Sequence, residues 1–95
     1  MSARAASTIL LVRDGEAGLE VFLVQRHRRS GFLPNAWVFP GGRVDPADGQ
    51  VSRVRGGAAV LKQLGLPEDE ARAYLVAGVR ETFEEAGIWL GTGTL

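Results

Sequence analysis

The chain has 95 residues, of which 45% are hydrophobic and 23% are charged, and this size and composition predict one small globular domain. Its 11 basic and 11 acidic residues balance, which disfavours a nucleic acid as partner, and the lack of cysteine excludes disulfides, thiolate metal sites and cysteine nucleophiles. No apolar run reaches the roughly 18 residues of a membrane span, so we expect a cytoplasmic protein with no membrane partner.

Two aliphatic runs near the N-terminus predict a β-hairpin. The first covers residues 7–13 and is followed by the turn signal Asp14-Gly15, and the second covers residues 19–25. Because apolar and polar residues do not alternate regularly in the second run, we expect that strand to be buried on both faces for much of its length.

A loop over residues 27–35 leads to a short predicted strand at residues 37–39. The strand is followed by Pro40-Gly41-Gly42, which predicts an open loop whose backbone can approach a ligand closely.

Two helices are predicted after these glycines. The first covers residues 51–64 and is weak, because Gly56-Gly57 interrupts it. The second begins near Pro67, which suits the first turn of a helix, and ends at Gly87, which suits a C-terminal cap. The face of this second helix that we expect in the core consists of Tyr74, Leu75, Gly78, Val79, Thr82, Phe83 and Ala86.

Charged residues crowd the end of the second helix. Glu81 and Glu85 project almost in line and Glu84 lies about 60° to one side, so the three carboxylates can converge on one hard cation. Magnesium or manganese fits such oxygen ligands best. Arg80 lies four residues before Glu84 and can hold its carboxylate in place. The alternative is a solvated charged face without a ligand.

Together, Pro40-Gly41-Gly42 and the charged block at residues 80–88 resemble the two halves of the signature of the Nudix hydrolases. These enzymes cleave a nucleoside diphosphate linked to another group. The family usually has glutamate at the position of Asp48 and a spacer of seven residues before the arginine. Here residues 49–79 form a spacer of 31 residues.

With its expanded spacer, the chain resembles a subgroup of Nudix proteins that includes a peroxisomal coenzyme A diphosphatase and bacterial relatives. Residues 22–26, 31–45 and 80–87 also resemble that subgroup. The resemblance implies an α/β (α+β) fold, a Nudix-type α/β/α sandwich with a mixed sheet that is incomplete at the C-terminus. Residues 1–95 would be the N-terminal part of one Nudix domain, with residues 49–79 packed as a peripheral flap.

The same resemblance implies metal-dependent hydrolysis of a diphosphate linkage, with coenzyme A or an acyl-coenzyme A as the substrate and Mg²⁺ or Mn²⁺ as the cofactor. Three alternatives stay open. The first is a Nudix hydrolase of another substrate, which would be ADP-ribose, a dinucleotide or a nucleoside triphosphate. The second is a catalytically idle binding module, and the third is an inactive fragment. The expected partner is a small nucleoside diphosphate derivative, and a homodimer is also left open.

Site residues follow from the same resemblance. The catalytic set is Arg80, Glu81, Glu84 and Glu85, in which Glu81 combines metal binding with proton abstraction. The metal ligands are the three glutamates together with a backbone carbonyl at Gly41 or Gly42. The substrate-binding residues are Arg26, Arg28, Phe32, Gly41 and Gly42, with Arg26 and either Arg28 or Arg29 placed to meet a 3′-phosphate.

Overall fold

A computed structural model describes residues 4–26, 35–51 and 62–91 of the chain. Within these ranges the strands are β1 (Ala6–Thr8), β2 (Val12–Gly15), β3 (Gly18–Val21), β4 (Val24–Gln25), β5 (Trp37–Val38) and β6 (Gly41–Arg43). A 3-10 helix (Pro46–Gln50) and one long helix, α1 (Glu68–Ala86), follow them. This combination of short strands and a long helix confirms the expected α+β class.

The described strands pair in three antiparallel ladders: β1 with β6, β2 with β3, and β4 with β5. The β1–β6 ladder is the most distant in sequence, since it sets Ser7 opposite Gly42. It also positions the site, because α1 packs against both of these strands and against the 3-10 helix.

The predicted N-terminal hairpin is confirmed with a shifted turn. Asp14 and Gly15 lie in β2 and pair with Leu19 and Gly18, so Glu16 and Ala17 form the turn. Gly18 has a φ of 127°, a conformation that other residues rarely adopt. Each predicted run is also split, the first into β1 and β2 and the second into β3 and β4.

The expected burial of the second run on both faces is wrong. Leu19 is 67% exposed and Val21 is 45% exposed. The reason is the position of α1, which packs against β1 and β6 and leaves the β2–β3 hairpin without a covering layer among the described residues.

Both predicted ends of α1 are confirmed. The helix begins at Glu68, directly after Pro67, and its first turn is acidic, which suits the positive end of a helix dipole. At the other end Gly87 has a φ of 71° and its N–H donates to the carbonyl oxygen of Phe83 at 2.8 Å. The chain then turns back, and Trp89 meets Phe83 edge to face with ring centroids 6.1 Å apart. In the described part of the chain no helix is long and apolar enough to cross a membrane.

Small residues form the most buried part of α1. Gly78 and Thr82 are buried as predicted, and Thr82 donates its hydroxyl to the carbonyl oxygen of Gly78 at 2.7 Å. A Cβ atom at Gly78 would lie 2.5 Å from Cδ1 of Ile9, which shows how closely the helix approaches the end of β1. Ala71 and Ala77 are also buried but were not predicted, because alanine adds little to an apolar pattern.

The open loop expected at Gly41 and Gly42 is a strand instead, because β6 hydrogen-bonds to β1. A Cβ at Gly41 would overlap the carbonyl oxygen of Ser7, and one at Gly42 would overlap the carboxyl group of Glu81. Glycine is needed at position 41, where the neighbour is rigid backbone, whereas at position 42 a Cβ would displace the carboxyl group of Glu81.

The expanded spacer contributes to the fold in an unexpected way, since α1 begins inside it at Glu68. The predicted weak helix at residues 51–64 falls mostly on residues 52–61, which lie outside the described residues. The contact between Glu81 and Gly42 confirms that the two ends of the spacer stay together, whereas the peripheral position of its middle stays a prediction.

Substituting Gly41→Ala is expected to lower the free energy of unfolding by about 1–3 kcal/mol, because the new methyl group meets the rigid backbone of Ser7 and Thr8. Gly49→Ala is the matched control, since a Cβ there lies 3.6 Å from its nearest neighbours. Its effect should stay within about 0.5 kcal/mol. Urea unfolding of both variants tests this, and equal stabilities would contradict the close approach of β1 and β6.

Candidate active site

The guanidinium group of Arg80 joins three separate elements. Its Nε atom lies 3.0 Å from Oδ1 of Asp48, and its Nη2 atom lies 3.2 Å from Oδ2 of the same carboxylate. Nη2 also donates to the carbonyl oxygen of Arg43 at 2.9 Å and lies 3.5 Å from Oδ2 of Asp45. These contacts tie α1 to the 3-10 helix and to the end of β6.

The 3-10 helix holds the Asp48 carboxylate in place. The backbone N–H of Asp45 donates to Oδ2 of Asp48 at 2.7 Å, and the backbone N–H of Asp48 donates to the carbonyl oxygen of Asp45 at 3.0 Å. Pro46 starts the 3-10 helix with a fixed φ, which favours this tight turn. Asp48 is therefore oriented toward Arg80 while being only 3% exposed.

Electrostatics keep this pair ionised. Burial alone raises the pKa of a carboxyl group, but the hydrogen bonds and charge of Arg80, together with the Asp45 backbone, outweigh it and lower the pKa of Asp48. The hydrogen bond to Asp48 in turn raises the pKa of Arg80, despite partial burial. Both groups are charged at neutral pH.

The remaining terminal nitrogen of Arg80 contacts two of the predicted metal ligands. Nη1 lies 2.9 Å from Oε1 of Glu81 and 3.1 Å from Oε2 of Glu84. The second contact is the ion pair between Arg80 and Glu84 that their four-residue spacing predicts. The side chain of Glu81 is 19% exposed and that of Glu84 is 55% exposed.

Glu85 reaches β6 from the same end of the helix. Its Oε1 atom accepts a hydrogen bond from the backbone N–H of Gly41 at 3.3 Å. Burial raises the pKa of Glu85, and the negative charges of Glu81 and Glu84 raise it further, against the opposing effects of Gly41 and Arg26.

The donor set fits a divalent cation in its chemistry. Three carboxylates supply only oxygen atoms, as magnesium and manganese prefer, and the charge crowding around Glu85 is the kind that such an ion neutralises. Among residues 4–26, 35–51 and 62–91, however, no three acidic or imidazole groups already surround one common position. Glu81 and Glu84 are held by Arg80, and Glu85 is held by Gly41, so a shared ion requires these side chains to rotate.

The structure brings together most of the residues that the sequence predicts for the site: Gly41, Gly42, Arg80, Glu81, Glu84 and Glu85. Arg26 lies on the same side, since its charge lowers the pKa of Glu85 and its backbone N–H donates to the carbonyl oxygen of Ala36 at 2.8 Å. Arg28, Arg29 and Phe32 lie outside the described residues. The roles of all these residues in binding and catalysis stay predictions.

Sequence reasoning missed the main partner of Arg80. Asp48 was identified only as a departure from the usual glutamate, although its place in that motif was a signal of a role. Asp45 and the carbonyl oxygen of Arg43 carry no such signal, because their contacts with Arg80 depend on how β6 and the 3-10 helix pack against α1.

A concave region lies apart from the charged cluster. It is a half-open, largely apolar groove of about 680 Å³ between the β2–β3 hairpin, Trp37 and Ile88. Trp37 is 63% exposed there, so its ring is not a fully buried core residue in this part of the chain.

Comparison with known proteins identifies several relatives, although no family model matches the chain. It is 36% identical to the acyl-coenzyme A diphosphatase NUDT19 of Gallus gallus in an alignment of 100 positions that covers 80% of this chain and 26% of that protein. It is 33% identical to the Xenopus laevis protein of the same name in an alignment of 102 positions that covers 82% of this chain and 27% of that protein. A putative nudix hydrolase 7 of Caenorhabditis elegans is 34% identical over 84 residues, 88% of this chain and 21% of that protein.

A solved structure is also similar. The crystal structure of a NUDIX hydrolase from Alicyclobacillus acidocaldarius matches with a TM-score of 0.69 and 34% identity, and the match covers 94% of this chain and 39% of that one. The chain spans about a quarter of the length of the curated relatives that it matches.

Replacing Asp48 with asparagine is expected to lower the free energy of unfolding by about 1–3 kcal/mol at neutral pH, because the charged partner of Arg80 is lost. Because folding lowers the pKa of Asp48, its stabilising effect is present above the unfolded-state value, about 3.9, and is lost as the pH falls through the lower folded-state value. The stability difference between wild type and Asp48→Asn should therefore shrink in acid. Denaturant unfolding between neutral and acidic pH measures it, and a difference that does not change with pH would contradict the ion pair.

Proposed function

Because the chain belongs to the Nudix hydrolase superfamily, we propose that the protein hydrolyses the diphosphate linkage of a nucleoside diphosphate derivative, with coenzyme A or an acyl-coenzyme A as its substrate. One observation carries this proposal: α1 and β6 meet so that Glu81 lies against Gly42 while Glu85 accepts a hydrogen bond from Gly41. The two halves of the motif, which lie far apart in sequence, thus form one site.

Charge explains why such a site needs a cation. A diphosphate is strongly negative, and Glu81, Glu84 and Glu85 add further negative charge, so substrate and site repel each other unless a divalent ion is present. Magnesium or manganese held by these glutamates, with a carbonyl oxygen of Gly41 or Gly42, would neutralise phosphate oxygens and acidify a water molecule. Their oxygen donors and their common position at the end of α1, beside Gly41 and Gly42, support this ligand set.

Glu81 and Arg80 have different roles in the proposed hydrolysis. Water adds to one phosphorus atom, and the bond between that phosphorus and the bridging oxygen breaks. We assign to Glu81 the acceptance of the water proton, by its position in the motif. Arg80 contacts both Glu81 and Glu84, so we assign to it the role of a positioning residue. With coenzyme A, the products are 3′,5′-adenosine diphosphate and phosphopantetheine.

Two findings support coenzyme A or its acyl esters over other diphosphates. The relatives in Gallus gallus and Xenopus laevis are named acyl-coenzyme A diphosphatases. Arg26 lies within electrostatic range of Glu85, and it could bind a 3′-phosphate through a charge-assisted hydrogen bond beside the diphosphate. ADP-ribose and dinucleotides lack that 3′-phosphate and are the competing substrates.

A catalytically idle binding module is the second candidate. Against it stands the presence of Glu81, Glu84 and Glu85 at one helix end, because like charges at this spacing destabilise a helix and the hydrogen bonds of Arg80 reach only the first two. A cytoplasmic location and a homodimer stay predictions.

The metal assignment predicts that Glu85→Gln weakens Mn²⁺ binding by at least about tenfold, because a neutral amide is a poorer ligand than a carboxylate. Glu70→Gln is the matched control, since Glu70 is an exposed residue in the first turn of the same helix. The Mn²⁺ affinity of Glu70→Gln should equal that of wild type. Electron paramagnetic resonance of free Mn²⁺ gives the three affinities, and equal values for all three proteins would rule out Glu85 as a ligand.

The substrate assignment predicts that full-length protein with Mg²⁺ hydrolyses coenzyme A, and that Arg26→Ala raises KM severalfold for it. Dephospho-coenzyme A, which differs only in lacking the 3′-phosphate, should show little change in KM, because Arg26 has no group to bind there.

Equal increases in KM would reduce Arg26 to a structural residue. Turnover of ADP-ribose or a dinucleotide without turnover of coenzyme A would refute the substrate and leave the family assignment intact.

A further inference from the structure

Ser7 lies where β1, β6 and α1 meet. Its Oγ atom donates a hydrogen bond to the carbonyl oxygen of Tyr74 in α1 at 2.5 Å, although the two residues are 67 positions apart. In the β1–β6 ladder Ser7 pairs with Gly42, the residue against which the carboxyl group of Glu81 lies. One side chain therefore links the helix to the pair of strands that forms the other half of the site.

We propose that Ser7 is a positioning residue for the charged end of α1: its hydroxyl fixes where the helix lies along β1 and β6, and so places two of the proposed metal ligands, Glu81 and Glu85. The inference rests on the proposed function, because it takes these glutamates as metal ligands. It deepens that function by naming a residue outside the motif on which the ligand positions depend.

The apolar packing of α1 leaves its exact register to be fixed by something else. The buried residues of the helix are all small: Ala71, Ala77, Gly78 and Thr82. Side chains of Ile9 and Ser7 lie beside the position that a Cβ of Gly78 would occupy. Apolar contacts are non-directional, and packed elements can slide past one another by small amounts. A hydrogen bond has a preferred direction and length, so the hydroxyl of Ser7 can select one register.

Ser7 and Arg80 attach α1 to the rest of the fold at two separate points. Arg80 binds Asp48 in the 3-10 helix, and Tyr74 lies six residues earlier, which is about 9 Å along a helix axis. Among the described residues, Ser7 to Tyr74 is the hydrogen bond that joins a side chain of β1 to α1. With Arg80 alone the helix could pivot about that residue, whereas a second attachment point fixes its direction as well.

The first test measures this register by hydrogen exchange, without added metal. The Gly41 amide donates to Glu85 at 3.3 Å, so its exchange reports whether the end of α1 stays on β6. In full-length Ser7→Ala protein, the Gly41 amide should exchange about two- to tenfold faster than in wild type, the range that one lost hydrogen bond corresponds to. The Phe22 amide, which donates to the carbonyl oxygen of Leu11, should be unchanged.

Two results of this measurement would overturn the proposal. An unchanged Gly41 amide in Ser7→Ala would show that the helix keeps its place without the hydroxyl. Equal acceleration at Gly41 and Phe22 would show that Ser7 contributes only to overall stability.

The second test measures Mn²⁺ affinity. Ser7→Ala should weaken binding about two- to tenfold, because Glu81 and Glu85 lose their common placement. Ser7→Thr keeps the hydroxyl on a residue that strands favour and should restore the wild-type affinity. Thr8→Ala is the matched control, since Thr8 is the exposed neighbour of Ser7 in β1, and it should bind as wild type does.

A Ser7→Thr protein that binds as weakly as Ser7→Ala, or a Thr8→Ala protein that does so, would contradict a specific role of the Ser7 hydroxyl. Failure of the wild-type protein itself to bind Mn²⁺ would instead reject the metal in the proposed function, and the exchange of the Gly41 amide would still decide whether Ser7 positions the helix.

Discussion

The ion pair between Arg80 and Asp48 is the interaction on which the rest of the site depends. It joins α1 to the 3-10 helix with two hydrogen bonds, and through the carbonyl oxygen of Arg43 it reaches the end of β6. Because Asp48 is buried, the pair tolerates neither loss of one charge nor displacement of one element. The positions of Glu81 and Glu84 follow from it, since both bind the remaining nitrogen of Arg80.

Small residues let the helix and the strands pack closely enough for this ion pair to form. Gly41 permits β6 to lie against β1, Gly42 permits Glu81 to lie against β6, and Gly78 permits α1 to approach Ile9. A side chain at Gly41 would meet the backbone of β1, whereas one at Gly42 or Gly78 would displace the side chain of Glu81 or Ile9. Because glycine has no side chain, β6 can pair closely with β1, and residues 41–43 form a strand and not an open loop.

Negative charge is concentrated where these elements meet. Asp45, Asp48, Glu81 and Glu84 lie around Arg80. Glu85 lies beside Gly41, and burial first and its acidic neighbours second raise its pKa. A protein that keeps such an arrangement needs a positive charge in it. Arg80 supplies one, and the divalent cation that we propose would supply more, in keeping with the proposed hydrolysis of an anionic diphosphate.

The sequence by itself determined the features that depend on neighbours along the chain. Pro67 and Gly87 set the ends of α1, the four-residue spacing set the contact between Arg80 and Glu84, and the motif at residues 80–88 identified the family. Only the tertiary structure decided that Asp48, 32 residues away, is the main partner of Arg80, that Gly42 pairs with Ser7, and that Leu19 is exposed. The reason is physical: helix caps and i,i+4 contacts form within one element, whereas strand pairing, burial and long-range ion pairs depend on which elements pack together.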